Sequence, residues 1–364
     1  MLVRAVDPLF IQPDATGIQV SSPLVPARLR IGPETAELLI SARTPLPVPE
    51  AESGTTSSLL AAVEQLLALG FLVKVDDEPV SGAPSPWDAW GPVAWWFHQR
   101  TRNVTFLSEE RKVRDFRSEL LTRPRPSGYA HPGPETPVLL LPRVRQPMTM
   151  SFQDVLEQRR THRTFTDQPV SLDALATLLH YSFAPLRFSD CGDLGVTQLR
   201  AAATGGARHE TDAYVVVFDV QDVSPGLYRY DAIRHGLVPV DARADREAWE
   251  GLTSRQGFFT TGSFALITVA VAERMSWKYR HARAYRFLMQ DVGHVAQVVS
   301  MTATALGLGA AITGAFQDDL VDQALGLDPG SEFATFVMVC GTPRTRTDGM
   351  PLDSDFPSKP WVLS

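Results

Sequence analysis

Trp277-Lys278-Tyr279-Arg280-His281-Ala282-Arg283-Ala284-Tyr285-Arg286, running on to Asp291-Val292-Gly293-His294, is the stretch that decides what kind of chain this is. It gathers a lysine, two tyrosines, three arginines and a histidine ahead of a long uncharged apolar run. A helix here sets Tyr279, Arg283 and Arg286 at i, i+4 and i+7 on one face, with Lys278, His281 and Tyr285 on the neighbouring stripe. Cations that close to a phenol favour the phenolate and lower its pKa. A tyrosine so placed becomes a usable base near neutral pH. The same residues also suit a solvated basic helix face, and the segment by itself leaves both open.

Outward from this segment, the composition is that of an ordinary globular protein. The chain has 364 residues, 44% hydrophobic and 21% charged, enough for about two domains with sizeable cores. A net charge of −7 argues against nucleic-acid binding. Cys191 and Cys340 are too few for a disulfide framework, so a reducing cytoplasm is expected. The start, Met1 to Asp7, lacks the apolar core of a signal peptide. Val292 to Gln317 is long enough to span a membrane, but its His294, Gln297, threonines and glycines suit a buried helix and a following loop. No membrane partner is expected. The histidines never pair with each other or with cysteine at metal-ligand spacing, so no metal is expected either.

Between Arg123 and Pro147, prolines at 124, 126, 132, 134, 137, 142 and 147 exclude a continuous helix and disfavour central strands. The expected organisation is therefore a small domain over 1–122, an extended connector over 123–150 and a larger domain over 151–364. In the small domain, Pro33 to Leu39 opens a helix. Leu59, Leu60, Val63, Leu66 and Leu67 fall at helical spacing before Gly70, and Phe71 to Val75 suits a strand turning at Asp76-Asp77-Glu78-Pro79. Helices followed by a β-ribbon suggest a winged-helix-like module. The tryptophan-rich run from Trp87 to His98 suits a hydrophobic contact, or one wall of a groove.

The larger domain alternates as α+β. Helices are expected from Phe152 to Arg160 with Val155 and Leu156 inward, from Ser171 as N-cap, and from Tyr285 to Leu306. Strands are expected at Tyr214–Phe218, after Pro225, at Phe264–Val271 and at Phe333–Gly341. Arg159-Arg160-Thr161-His162-Arg163 sits at a helix end, where guanidinium forks match phosphate oxygens; dipole-compensating surface arginines would look the same. Thr204-Gly205-Gly206 allows close backbone approach to a ligand or a plain loop. Gly307 to Phe316 lacks dinucleotide-fingerprint spacing.

Together these motifs resemble the SagB-type dehydrogenases of the nitroreductase-like flavin fold, over roughly the last 215 residues. Arg159-Arg160-Thr161-His162-Arg163 is similar to that family's RRSxR run, with threonine for serine. Gly205 to His209 followed by Tyr214-Val215-Val216 is similar to its S-x-G-x-R-H … Y-V-V run. Pro225 to Asp231 is similar to PGLYxYD. Lys278-Tyr279 with Asp291 to His294 resembles its Lys-Tyr pair and D-x-G-H helix. Where the family often carries Pro-Ser before the glycine, this chain has Ala203-Thr204.

The resemblance implies an antiparallel-rich sheet flanked by helices, a long dimer helix and a homodimer with flavin at the subunit interface. It implies FMN, with the phosphate on Arg159, Arg160 and Arg163, Thr161 within the same motif and a further contact from Arg344. Thr204, Gly205, Gly206, Gly314 and Ala315 would approach the isoalloxazine. It also implies oxidation of thiazoline or oxazoline rings in a ribosomally made peptide: Tyr279 takes the Cα proton, Lys278 assists, the hydride goes to flavin N5 and oxygen is the expected final acceptor. A cyclodehydratase complex is the partner that such a substrate suggests. Flavin-dependent oxidation or oxygenation of another peptide- or carrier-bound amino acid stays open, as does a non-catalytic peptide-binding scaffold.

Overall fold

A computed structural model describes residues 1–48, 58–76, 87–129, 133, 135–241, 245–347 and 352. The turn expected at Asp76 to Pro79 lies outside them from residue 77 on, as do residues 130–132 and 134 of the proline-rich connector. The chain divides into two compact units, Met1–Phe106 and Leu107–Ser364.

The first unit contains β1 (Leu2–Ala5), β2 (Phe10–Asp14), β3 (Gly17–Ser22), β4 (Val25–Ile31), α1 (Pro33–Ser41), β5 (Leu46–Pro47), α2 (Ser58–Ala68), β6 (Leu72–Lys74) and α3 (Trp87–Arg100). β1 lies between β5 and β6 in one antiparallel sheet, and β2–β3–β4 form a second as a meander. The strand expected after α2 is thus present, paired with β1. Val63 and Leu66 of α2 join Leu39, Phe71 and Leu72 in one core. In the tryptophan run, Gly91 (φ +78) breaks α3. Trp95 is buried, and Trp96 lies against Phe10 and donates to Ser21 Oγ at 3.0 Å.

The second unit contains α4 (Glu110–Leu121), β7 (Leu139–Leu140), α5 (Phe152–Gln158), α6 (Leu172–Phe183), β8 (Arg187–Asp190), β9 (Val196–Leu199), β10 (Thr211–Val217), β11 (Gly226–Asp231), β12 (Gly236–Asp241), α7 (Arg246–Leu252), β13 (Phe264–Val271), α8 (Ala272–Ser276), α9 (Ala284–Ala305), β14 (Gly309–Thr313), α10 (Asp318–Leu325) and β15 (Glu332–Gly341). Seven strands make an antiparallel sheet in the order β14-β15-β13-β10-β11-β12-β7. β8 and β9 form a separate ribbon.

The central strands are buried on both faces. On β10, Val215 and Val217 face one core while Tyr214 and Val216 face the other; on β13, Phe264 and Leu266 alternate with Ala265, Ile267 and Val269 in the same way. Helices α6 and α9 cover the first face through Leu175, Leu178, Val295 and Val299. Trp249 of α7, Phe258, Phe259 and Val321 of α10 cover the second. Double-sided burial explains why these strands are near-continuous apolar runs.

Three local expectations change. Leu156 of α5 is exposed while Val155 is buried, because the helix ends at Gln158 and turns only one side inward. The segment after α9 is a strand, not a loop: β14 pairs with β15 throughout, its small residues passing beside His162. Within the proline-rich connector, Leu139–Leu140 adds the edge strand β7, a position compatible with nearby proline. Among the described residues no helix is long and apolar enough to cross a membrane.

Truncating Leu266, fully buried on β13, should lower unfolding free energy by about 2–5 kcal/mol in Leu266→Ala. Leu320→Ala, on the exposed side of α10, should change it by less than about 0.5 kcal/mol. Denaturant titration of the pair checks the assignment of the core.

Candidate functional site

The expected helix over Trp277–Arg286 is interrupted. α8 ends at Ser276, and one further turn carries the amides of Lys278 and Tyr279 onto the carbonyl of Met275 at 3.2 and 3.0 Å. The chain then leaves helical geometry until α9 begins at Ala284. Tyr279, Arg283 and Arg286 therefore do not share one helix face. Arg280 leaves the group altogether, its Nη1 meeting Glu119 Oε1 at 2.5 Å.

What Lys278 and Tyr279 do share is the glycine turn. Gly206 adopts φ +61, and a Cβ built on it would fall 2.6 Å from Tyr279 Oη and 2.8 Å from Lys278 Nζ. A Cβ on Gly205 would fall 3.3 Å from Asp291 Oδ2 and 3.9 Å from Tyr279 Cε2. The Gly205 amide donates to Asp291 Oδ2 at 2.6 Å. The two motifs, some seventy residues apart in sequence, thus meet through a backbone that only glycine leaves open.

A buried network holds this turn. His209 Nε2 meets the Gln198 carbonyl at 2.7 Å, and Thr204 Oγ1 meets His209 Nδ1 at 3.4 Å. Arg208 Nε donates to the Arg274 carbonyl at 3.1 Å, its guanidinium 4.8 Å from the Trp277 ring centre. Arg274 in turn binds Asp212 through both nitrogens, at 2.7 and 2.8 Å.

Electrostatics at the pair differ from the sequence expectation. Burial pushes the Tyr279 phenol above its ordinary value; Arg208 pulls it down, Asp291 pushes it up, and burial wins. Burial first, then Arg208 and Arg125, hold the Lys278 ammonium below its ordinary value. Both shifts favour the neutral forms.

The remaining expected residues lie along β14. Thr161 bridges to Ala310, and the His162 amide donates to the Ala310 carbonyl. Arg159 and Arg163 are half-buried and form no ion pair among the described residues. Arg160 is exposed, its Nη1 turned back onto the carbonyls of Glu157 and Arg159 at 2.7 and 2.8 Å. The Arg344 amide donates to Thr164, and its side chain reaches Asp167 at 3.4 Å. Gly314 and Ala315 are exposed at the other end of β14. A Cβ on Gly314 would be 3.8 Å from Phe336, which packs in the same apolar cluster as Tyr279. The structure therefore joins Gly205–Gly206 to Lys278 and Tyr279 directly, and sets Gly314 beside Phe336 on the apolar cluster that Tyr279 also packs against. It sets the arginines beside the opposite end of β14, roughly 13 Å along the strand.

The Nitroreductase family profile matches residues 156–342. The chain belongs to this family. A protein of Methanocaldococcus jannaschii assigned as a nitroreductase is 32% identical over 198 residues, covering 53% of this chain and 91% of that one. The trifolitoxin-processing protein TfxB of Rhizobium leguminosarum bv. trifolii is 32% identical over 177 residues, 47% of each chain. The crystal structure of an Anabaena variabilis protein assigned as a nitroreductase aligns with a TM-score of 0.50 at 20% identity, over 67% of this chain and 49% of that one. The nitroreductase family uses FMN. Half-buried Arg159 and Arg163 with no carboxylate partner among the described residues, and a glycine turn open to close approach, fit an anionic, planar cofactor of this kind.

One residue escaped sequence reading. Glu210 follows the Arg208-His209 motif and is fully buried. It lies just before β10, and nothing in the sequence says that Asp291 of α9 comes up against it.

Gly206→Ala should cost about 1–2 kcal/mol of unfolding free energy, because an L side chain at φ +61 is strained even before it meets Tyr279 and Lys278. Gly251→Ala, in a helix with open space around it, should be neutral or stabilising by up to about 1 kcal/mol. Denaturant unfolding of both variants makes the comparison.

Proposed function

We propose that this chain is an FMN-dependent dehydrogenase of ribosomally made peptides, oxidising thiazoline or oxazoline rings to the aromatic thiazole or oxazole. The observation that carries this is the convergence of Lys278 Nζ and Tyr279 Oη on the Gly206 turn. A relative in trifolitoxin processing supports a peptide substrate. In this reading Arg159, Arg160 and Arg163 hold the FMN phosphate with help from Thr161 and Arg344, and Thr204–Gly206 and Gly314–Ala315 lie along the ring system. A homodimer, and a complex with the cyclodehydratase that makes the azoline, belong to the same proposal, as does a cytoplasmic location.

Aromatising an azoline removes a Cα proton and a hydride. FMN, when bound, supplies the hydride acceptor. The chain must supply the base, and Tyr279 is the group in place. Its phenol holds its proton in the resting site, since burial disfavours the phenolate, and it must release that proton to solvent before it can accept the Cα proton. Arg208 offsets part of that penalty, and Lys278 sits beside it with Nζ 5.3 Å from the ring centre. General-base catalysis contributes about 10²–10⁴-fold.

Tyr279→Phe should retain FMN while turnover of an azoline peptide, followed as loss of a hydrogen pair per ring, falls at least about a hundredfold. Wild-type turnover in that variant would remove Tyr279 from the mechanism. Because the phenol titrates above its ordinary value, wild-type kcat should climb with pH across the neutral and mildly alkaline range, and the residual activity of Tyr279→Phe should not.

Arg163→Ala should weaken FMN by about tenfold or more, the value of one charge-assisted contact. Ultrafiltration of the yellow protein, with free FMN measured in the filtrate, gives that number.

A further inference from the structure

The Glu210 carboxyl is fully buried, and neither oxygen has a hydrogen-bond donor among the described residues. An ionised carboxylate left so would be very costly. What lies against it is another acid: Asp291, also buried, close enough for each carboxyl to shift the other. Two carboxylates in contact cannot both ionise cheaply, whereas an acid and a carboxylate make a strong hydrogen bond.

We propose that Glu210 and Asp291 hold one proton between them, Glu210 donating to an ionised Asp291, and that this shared proton positions the Gly205–Gly206 turn against Lys278 and Tyr279. The asymmetry follows from the surroundings. Asp291 already accepts the Gly205 amide at 2.6 Å and has His294 Nδ1 3.6 Å from its other oxygen, both favouring its charged form. Glu210 is fully buried, burial outweighs the opposing pull of its own amide and of Arg200, and it takes the proton.

The neighbouring cations do not replace that proton. On the strand side, Arg200 opposes the shift but directs its Nη atoms to the Thr211 and Gly128 carbonyls and to Gln198 Oε1. In the loop, Arg208 directs its Nε to the Arg274 carbonyl. Arg274 of α8 is committed to Asp212. On the α9 side, His294 touches Asp291 rather than Glu210, and Tyr279 feels Asp291 as an added negative charge. Loss of the proton therefore places a second negative charge beside the carboxylate that anchors Gly205. The inference holds whichever substrate the site oxidises.

Burial raises the Glu210 carboxyl from 4.5 to about 7, so the folded chain binds this proton more tightly than the unfolded one. Its stabilisation is complete below the unfolded value and is lost as pH rises through about 7. Glutamine at 210 keeps the shape and offers an N–H donor in place of the acid O–H.

The test uses the full FMN-loaded chain with carbon-13 glutamate. In wild type, infrared spectra should show the C=O band of a protonated glutamate on the acid side, vanishing as pH rises through about 7. Glu210→Gln should lack this band. Exchange of the Gly205 amide should accelerate at least about tenfold across the same transition in wild type and stay flat in Glu210→Gln. The proposal falls if wild type shows no labelled protonated-glutamate band, if the band survives in Glu210→Gln, or if Gly205 exchange follows pH alike in both proteins.

Discussion

The turn at Gly205–Gly206 is the constraint around which the rest of the site is arranged. A residue at φ +61 with a phenol and an ammonium closing on its missing side chain has to be glycine. Holding that backbone in place takes groups from four separate elements: the Gln198 carbonyl on β9, Asp212 on β10, Arg274 on α8 and Asp291 on α9. Of these, the Arg274–Asp212 pair is nearly dry, so losing either partner would strand a buried charge rather than merely remove a contact. The sheet matters to function here because β10 and β13 deliver both ends of that pair in register, Asp212 opposite Val269 and Arg274 three residues beyond the end of β13.

Strands with two buried faces and helices with a periodic apolar stripe could be seen in the sequence; strands of small or exposed residues could not. Tyr214–Phe218, Phe264–Val271 and Phe333–Gly341 announce themselves because neither face needs polar residues. β14, built of Gly309, Ala310, Ala311, Ile312 and Thr313, carries little apolar bulk, because His162 passes close to its first residue, and so it looks like a loop. The β8–β9 ribbon exposes Phe188 and Val196 and shows no burial pattern to detect. Long-range pairing, such as β1 with β6, has no local signature at all.

The site was legible as residue types and not as geometry. Lys278, Tyr279, Gly205, Gly206 and Asp291 all stand out as motifs, and they meet in space. The helical spacing offered for Tyr279, Arg283 and Arg286 does not survive, because the chain leaves the helix after Tyr279 and re-enters one at Ala284. Helical spacing predicts shared faces only where the helix persists. Glu210 was invisible for a different reason: a glutamate at a strand entrance is normally solvated, and nothing local shows that this one is buried against Asp291 of α9.

The largest correction concerns sign. Counting nearby cations predicts a tyrosine poised to ionise, but the same enclosure that brings Arg208 and Lys278 near also removes water, and desolvation acts on every charge at once. It lifts Tyr279 and depresses Lys278, shifting both toward their neutral forms. Arginine alone keeps its charge under such conditions: Arg208 falls only to about 10 and remains cationic, stacked on Trp277. A negative charge that develops near the Gly206 turn would therefore meet a guanidinium whose charge is fixed and an ammonium whose charge burial weakens. Such a site keeps the phenolate scarce at neutral pH, so under the proposed mechanism Tyr279 has to give up its own proton before it can accept one from substrate. It follows that the arginine, more than the lysine, sets the field in which Tyr279 works.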